Sequence, residues 1–252
     1  MQLNKTNQGA QGVAAGIAEV ASLLWQKGWA EASGGNISVN VTEFYPNVRI
    51  DFRTYPMIPL PVKYPAIAHN YIFITSKGSR MRTLAKDPGS GICLVKISKS
   101  GEAYQVLFED PENPLVPSSE LPSHFAIHNL LVKQKREEKA VVHAHVHEMV
   151  AMSHISGFNN EARLNELLMG MHTETAYFIP EGMGYVPLLE PGSQELAKAT
   201  LKSLKDHKVI LWEKHGCLAT GKDVDEAFDR IDLVAKAAKI YLLASHNRHI
   251  PS

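Results

Sequence analysis

The chain has 252 residues, of which 44% are hydrophobic and 21% charged, and this composition excludes a mainly disordered protein. Its 26 basic and 26 acidic side chains give a formal net charge of +0, which argues against a nucleic-acid partner and against an anionic membrane surface. Two cysteines are too few for a disulfide framework and are typical of a reducing compartment. No signal pattern or membrane-length apolar run occurs, so we expect a cytoplasmic protein.

Hydrophobic periodicity predicts helices and strands that are mixed along the chain without strict βαβ alternation. The predicted helices cover 11–28, 117–134, 147–155, 160–169, 193–206 and 223–246. The first predicted strand begins at Ile37. The others cover 48–52, 70–75, 91–97, 104–108, 140–146 and 208–213, with a short apolar strand at 176–179. Because no linker interrupts this pattern, we expect one domain over residues 1–252, of α/β or α+β class, with a mixed or antiparallel sheet.

Histidines form the first candidate site. His143 and His145 are two residues apart on a predicted strand, so their imidazoles share a face and can bind one metal ion. His215 follows the predicted strand 208–213 and precedes a glycine that permits an abrupt turn, which makes it the third candidate ligand. Three imidazoles with an open fourth position are typical of catalytic zinc. Each of these three histidines also has a structural interpretation, as a histidine packed on a strand or as a histidine in a turn.

Other histidines and the nearby cysteine are interpreted as structural. His147 continues the alternation of the strand, but the strand pattern is weakest there. His124 and His128 share a helix face without the adjacent glutamate of the zinc-protease pattern. Cys217, two residues after His215, is interpreted as a small buried hydrophobe.

Three segments have the composition of phosphate-binding loops. Ser33-Gly34-Gly35-Asn36 and Thr75-Ser76-Lys77-Gly78 combine glycine with polar side chains at strand ends. Ser118-Ser119 lies at a predicted helix start, where free amides attract anions. Each segment alone is better explained as a turn or a cap, but three of them beside a metal constellation favour a bound phosphate.

Two carboxylates complete the candidate set. Glu120 follows the double serine and is either a first-turn helix charge or a group for proton transfer beside the metal. Glu174 precedes the predicted apolar strand at 176–179 and carries no signal by itself.

In this order, the segments 33–36, 75–78, 118–120, 143–145 and 214–216 resemble the class II aldolase and ribulose-phosphate epimerase family. The resemblance runs from about residue 11 to about residue 245. The excursion at 41–70, the 23-residue spacing from Glu120 to His143 and the segment at Thr173-Glu174 are similar to the branch that cleaves L-rhamnulose 1-phosphate. Ser33 and Ser118 stand where that branch leads us to expect Asn and Thr, and both keep a polar side chain.

The resemblance implies a single α/β domain with a central, mostly antiparallel sheet covered by helices. It further implies a homotetramer with active sites at subunit interfaces and one Zn²⁺ per subunit, held by His143, His145 and His215. Glu120 would be catalytic, and Glu174 would be supplied to the site of a neighbouring subunit. The phosphate of the substrate would be bound by Ser33, Gly35, Asn36, Ser76, Ser118 and Ser119.

The implied reaction is reversible retro-aldol cleavage of a ketose 1-phosphate to dihydroxyacetone phosphate and L-lactaldehyde. Other family activities remain open, namely those of fuculose-phosphate aldolase, ribulose-phosphate 4-epimerase and methylthioribulose-phosphate dehydratase. A non-catalytic module like the adducin head is a further alternative. Such heads lack the metal histidines, and the presence here of His143, His145, His215 and Glu120 argues against one.

Overall fold

The computed structural model describes residues 8–46, 55–107 and 115–246, so the predicted strand at 48–52 lies outside the described residues. Nine described strands form one sheet in the order β2-β5-β4-β3-β1-β6-β9-β8-β7. Every neighbouring pair is antiparallel apart from β7 and β8, which are parallel. The expected α/β fold with a central, mostly antiparallel sheet is confirmed.

The strands have these bounds: β1 Asn36–Asn40, β2 Ile58–Pro59, β3 Tyr71–Thr75, β4 Ile92–Ile97, β5 Ala103–Leu107, β6 Ala140–Ala144, β7 Gly184–Val186, β8 Val209–Trp212 and β9 Gly216–Gly221. The sequence pattern did not predict β9. All six of its residues are buried, so it shows no polar alternation, and glycine stands at both of its ends.

The helices have these bounds: α1 Gln8–Gln26, α2 Met81–Leu84, α3 Leu121–Lys133, α4 His147–Ser153, α5 Glu161–Met171, α6 Thr173–Phe178, α7 Gln194–Ser203 and α8 Val224–His246. The strand predicted at 176–179 is wrong, because most of this segment belongs to α6. Tyr177 and Phe178 are exposed there, so the apolar run does not indicate a buried strand. None of the described helices combines the length and apolar composition needed to cross a bilayer.

The sheet is covered on both faces. On one face, helices α1, α4, α5 and α8 pack against alternate strand residues such as Phe73 and Val142. On the other face, α3 and α7 pack against the intervening residues, which include Val141. Because strand side chains alternate, His143 shares the face of Val141 and therefore points toward α3 and α7.

The strand register brings distant segments to one end of the central strands. Asn36, the first residue of β1, is paired with His143 near the end of β6. On its other side β1 is antiparallel to β3, so the end of β3 lies beside the start of β1. The segment before α3 joins this end, because the backbone N–H of Ser118 donates to the carbonyl of Thr75 over 3.0 Å.

Candidate metal centre and active site

Three imidazoles converge at this end of the sheet. His143 belongs to β6, His145 follows the last residue of that strand, and His215 lies in the turn between β8 and β9. One ring nitrogen from each lies within 4.8 Å of the others. The structure therefore brings together the three histidines that the sequence selected as metal ligands.

Hydrogen bonds orient two of these rings. Nδ1 of His143 lies 2.9 Å from the carbonyl oxygen of Cys217. Because a carbonyl can only accept, Nδ1 carries the proton and Nε2 keeps its lone pair. That Nε2 is buried without a hydrogen-bond partner, as is expected of a nitrogen placed to bind a metal. Nδ1 of His145 lies 2.6 Å from Oε1 of Glu31, which leaves its Nε2 free in the same way.

The surroundings keep the buried imidazoles neutral. Burial is the main cause that lowers the pKa of His143 to about 3 and that of His215 to about 4, with a neighbouring imidazole as a further cause in each case. A neutral imidazole is the form that binds a metal ion. This donor set fits a divalent metal, and three nitrogens suit zinc well.

Trp212 supports the imidazoles as a rigid surface. Its ring centroid lies 4.6 Å from that of His143 and 5.2 Å from that of His215. The indole is fully buried and its Nε1 donates to Oγ1 of Thr200 over 2.9 Å. The sequence showed Trp212 only as a strand residue, and its pattern contains no signal for this role.

The β8–β9 turn requires the glycine that follows His215. A Cβ at Gly216 would overlap the carbonyl oxygen of Ala144, because β9 passes very close to β6. Lys214, at φ 58°, lies in the left-handed region, and its N–H is held by Oγ of Ser153 over 3.0 Å. The turn thus places His215 against the end of β6.

Glu120 lies against the imidazoles. Its carboxylate oxygens are 3.2 Å from Nε2 of His215 and 3.7 Å from Nε2 of His143. Burial raises the pKa of this carboxyl, against the opposing effects of His215, Asn36 and His145. A buried carboxyl with a raised pKa accepts a proton more readily than an exposed one, which suits a group that takes up and returns a proton.

The start of α3 differs from the expected capping pattern. Serine caps were predicted, but Glu120 is the residue before the helix and its side chain makes no capping bond. Oγ of Ser118 instead accepts the N–H of Glu120 over 3.3 Å. The carboxylate is therefore turned toward the imidazoles rather than toward the helix amides.

The three glycine- and serine-rich segments lie side by side. Ser76 is bridged to Pro117, which joins the end of β3 to the segment that carries Ser118 and the exposed Ser119. Ser33 is also exposed and leads into Gly35, whose φ of 75° favours glycine. Asn36 is buried, and its side chain contacts Glu120 and His124.

Glu174 lies elsewhere on the chain. It is on α6, is largely exposed, and pairs with His172 over 2.8 Å. Among the described residues, no ion pair joins it to His143, His145 or His215. His147 also stands apart from the three imidazoles, since it is exposed at the start of α4 and contacts Glu148.

Comparisons with known proteins agree with this geometry. The family described as "Class II Aldolase and Adducin N-terminal domain" matches residues 15–242. A rhamnulose-1-phosphate aldolase of Bacteroides thetaiotaomicron is 39% identical over 91% of this chain and 85% of its own. A rhamnulose-1-phosphate aldolase of Listeria welshimeri is 31% identical over 91% of this chain and 82% of its own. A sugar-phosphate aldolase structure from Thermotoga maritima superimposes with a TM-score of 0.80 at 33% identity, covering 96% of this chain and 98% of its own.

Proposed function

The chain belongs to the class II aldolase and adducin N-terminal domain family, and we propose that it is a metal-dependent aldolase acting on L-rhamnulose 1-phosphate. The reaction is the reversible cleavage of the C3–C4 bond, which yields dihydroxyacetone phosphate and L-lactaldehyde. The single observation that carries this proposal is the set of three converging imidazoles with Glu120 against them. The relatives named as rhamnulose-1-phosphate aldolases support the choice of sugar.

His143, His145 and His215 hold the metal, and we propose one zinc ion per subunit. The orphaned Nε2 of His143 supports this assignment, as does the carboxylate of Glu31 behind His145. When bound, such an ion is a Lewis acid that stabilises the negative charge developing on substrate oxygens during cleavage.

Glu120 transfers the proton. Breaking the C3–C4 bond requires the C4 hydroxyl to lose its proton as it becomes the aldehyde, and Glu174 of the neighbouring subunit accepts that proton. The electron pair stays on the dihydroxyacetone phosphate portion as an enediolate, and Glu120 donates a proton to C3 to complete that product. In the synthetic direction the same carboxylate removes this proton. The burial that raises its pKa supports both roles, because a base whose pKa lies nearer the operating pH can work in both directions.

The phosphate of the substrate binds at the three adjoining segments, through Ser33, Gly35, Asn36, Ser76, Ser118 and Ser119. The proximity of Ser76 and Ser118 supports this assignment, since the backbones of residues 75–77 and 116–118 are joined by hydrogen bonds. This arrangement provides hydroxyl and amide donors that can fix the reacting carbon relative to Glu120.

The active protein is a cytoplasmic cyclic homotetramer in which Glu174 serves the site of the neighbouring subunit. Glu174, Tyr177 and Phe178 are all exposed on α6, and exposed aromatic side chains are common at subunit contacts. Both cysteines are buried free thiols, which supports a reducing compartment.

The test combines metal analysis with a paired substrate assay. Purified protein should contain about one zinc ion per subunit and should cleave L-rhamnulose 1-phosphate, with dihydroxyacetone phosphate detected by an NADH-linked reductase. L-Fuculose 1-phosphate, measured in parallel, should be cleaved much more slowly. A metal-loaded protein that prefers L-fuculose 1-phosphate, or that cleaves neither sugar, would overturn the proposal.

A further inference from the structure

A continuous chain of buried polar groups lies behind Glu120. The proton transfer proposed for Glu120 does not itself use these groups. We call it the buried relay, and it consists of His128, Ser38, His124 and Asn36. Oγ of Ser38 lies 2.8 Å from Nε2 of His128 and 2.6 Å from Nδ1 of His124. Nε2 of His124 contacts Oδ1 of Asn36, whose Nδ2 donates to Oε2 of Glu120 over 3.4 Å.

The relay is enclosed by protein. Ser38 and His124 are fully buried and His128 is 1% exposed. Within the described residues, neither histidine forms an ion pair with a carboxylate. A charged imidazole without a counter-charge is disfavoured there, and burial lowers the pKa of His128 to about 3. Each ring is therefore neutral and carries a single N–H.

Neutral rings fix the direction of every hydrogen bond in the relay. A carboxylate only accepts, so Asn36 must present its NH₂ to Glu120 and its oxygen to His124. His124 must then donate from Nε2 and accept at Nδ1, which takes the hydroxyl proton of Ser38. The hydroxyl oxygen of Ser38 in turn accepts the Nε2–H of His128. All donors thus point toward Glu120.

We propose that the buried relay positions Glu120, with His124, His128 and Ser38 as positioning residues. Their role is to lock the Asn36 amide so that its NH₂ faces the carboxylate. If the relay is broken, the amide can rotate and present its oxygen to Glu120, and two acceptors then repel each other. This inference rests on the proposed function, because it assigns the relay to the proton transfer by Glu120.

The test compares two substitutions of His128, which lies at the end of the relay away from Glu120 and is neither a proposed metal ligand nor a proposed phosphate ligand. His128→Gln retains an N–H donor near the Nε2 position, whereas His128→Leu removes it at similar volume. The assay follows deuterium exchange at C3 of dihydroxyacetone phosphate in heavy water. We expect His128→Leu to lower the kcat of exchange about tenfold, with metal content unchanged, and His128→Gln to restore most of it.

Leu131→Val is the matched control, because Leu131 is buried on the same helix and belongs to an apolar cluster. The Leu131→Val protein should lose some packing contacts in the core but keep the wild-type kcat of exchange. If His128→Leu does not fold, Ser38→Ala breaks the relay with a smaller change in volume and should give the same kcat loss. ¹⁵N spectra of the histidine rings provide an independent measurement, and both His124 and His128 should be protonated at Nε2.

The outcomes separate the two proposals. A wild-type protein that neither cleaves the sugar nor exchanges the proton would overturn the proposed function and this inference with it. Wild-type exchange with equal kcat in His128→Leu, Ser38→Ala and Leu131→Val would overturn the positioning role alone. A His124 ring protonated at Nδ1 would reverse the relay and contradict it directly.

Discussion

Glu31 and His145 form a hydrogen-bonded pair that connects a surface carboxylate to the candidate metal centre. Oε1 of Glu31 lies 2.6 Å from Nδ1 of His145, although 66% of the glutamate side chain is exposed. The backbone supports the pair, because the N–H of His145 donates to the carbonyl of Trp29 over 2.9 Å. A carboxylate in this position fixes the tautomer of a metal-binding imidazole and raises its basicity.

We expect Glu31→Ala to weaken metal binding about 10- to 100-fold while leaving the fold intact. Glu31→Gln should have a smaller effect, since its amide oxygen can still accept the Nδ1–H. Competition with a zinc chelator measures the affinity. Glu102→Ala is the control, because Glu102 is an exposed carboxylate that pairs with Lys63. Equal zinc affinity in the Glu31→Ala and Glu102→Ala proteins would contradict the prediction.

His145→Ala should lose metal and aldolase activity together, because two imidazoles are a much weaker site than three. Zinc content after dialysis and the cleavage rate provide the two readouts. His154→Ala is a suitable control, since His154 is an exposed histidine just beyond the end of α4. A His145→Ala protein with full metal occupancy and full activity would show that the site lies elsewhere.

Glu120→Gln should keep the fold and most of the metal but stop deuterium exchange at C3 of dihydroxyacetone phosphate. The amide cannot accept the proton, while it preserves the volume of a buried side chain. Proton NMR in heavy water follows the exchange. Exchange at the wild-type rate would identify a different group as the base.

Glu174 is expected to act across a subunit boundary. Glu120→Gln and Glu174→Ala proteins, each nearly inactive, are unfolded, mixed in equal amounts and refolded. A site then needs Glu120 from one chain and Glu174 from its neighbour, so roughly a quarter of sites should be intact. Tetramers that remain as inactive as both parents would contradict action in trans, because a residue acting in cis could never be complemented.

Acid should destabilise the protein through His128. Its pKa falls from 6.5 to about 3 on burial, so the unfolded chain binds the proton more tightly than the folded chain. The contribution of His128 to the free energy of unfolding is therefore fully present above pH 6.5 and is lost as the pH falls toward 3. Within this range the contribution changes by about 1.4 kcal/mol per pH unit. Urea unfolding between pH 7.5 and 5, at fixed protein concentration, measures the slope.

The comparison protein for this measurement is His128→Leu, which has no proton to gain at that position. Its unfolding free energy should depend less steeply on pH than that of the wild type, even if it is lower at pH 7.5. If the free energy of unfolding depended on pH equally in the two proteins, His128 would already be accessible to protons in the folded state.

Local pattern was sufficient for much of the fold and for the choice of metal ligands. Helical and strand periodicities predicted most of the described elements, because each reflects burial of one face of a short segment. The alternation of β6 placed His143 and His145 toward the same side, and the glycine after His215 indicated its turn. The pattern failed where residues are buried on all sides, as in β9, and where an apolar run is exposed, as at Tyr177 and Phe178.

The tertiary structure alone decided what surrounds these ligands. Ser38 and His128 are 90 residues apart in the chain, and Glu31 and His145 are 114 apart, so no local periodicity relates them. These pairs exist because β1 lies between β3 and β6 and because α3 packs across the same face of the sheet. The sequence by itself determined which side chains could bind a metal and move a proton. The register of the sheet decided which groups orient them, because hydrogen bonds depend on distances that only the folded chain defines.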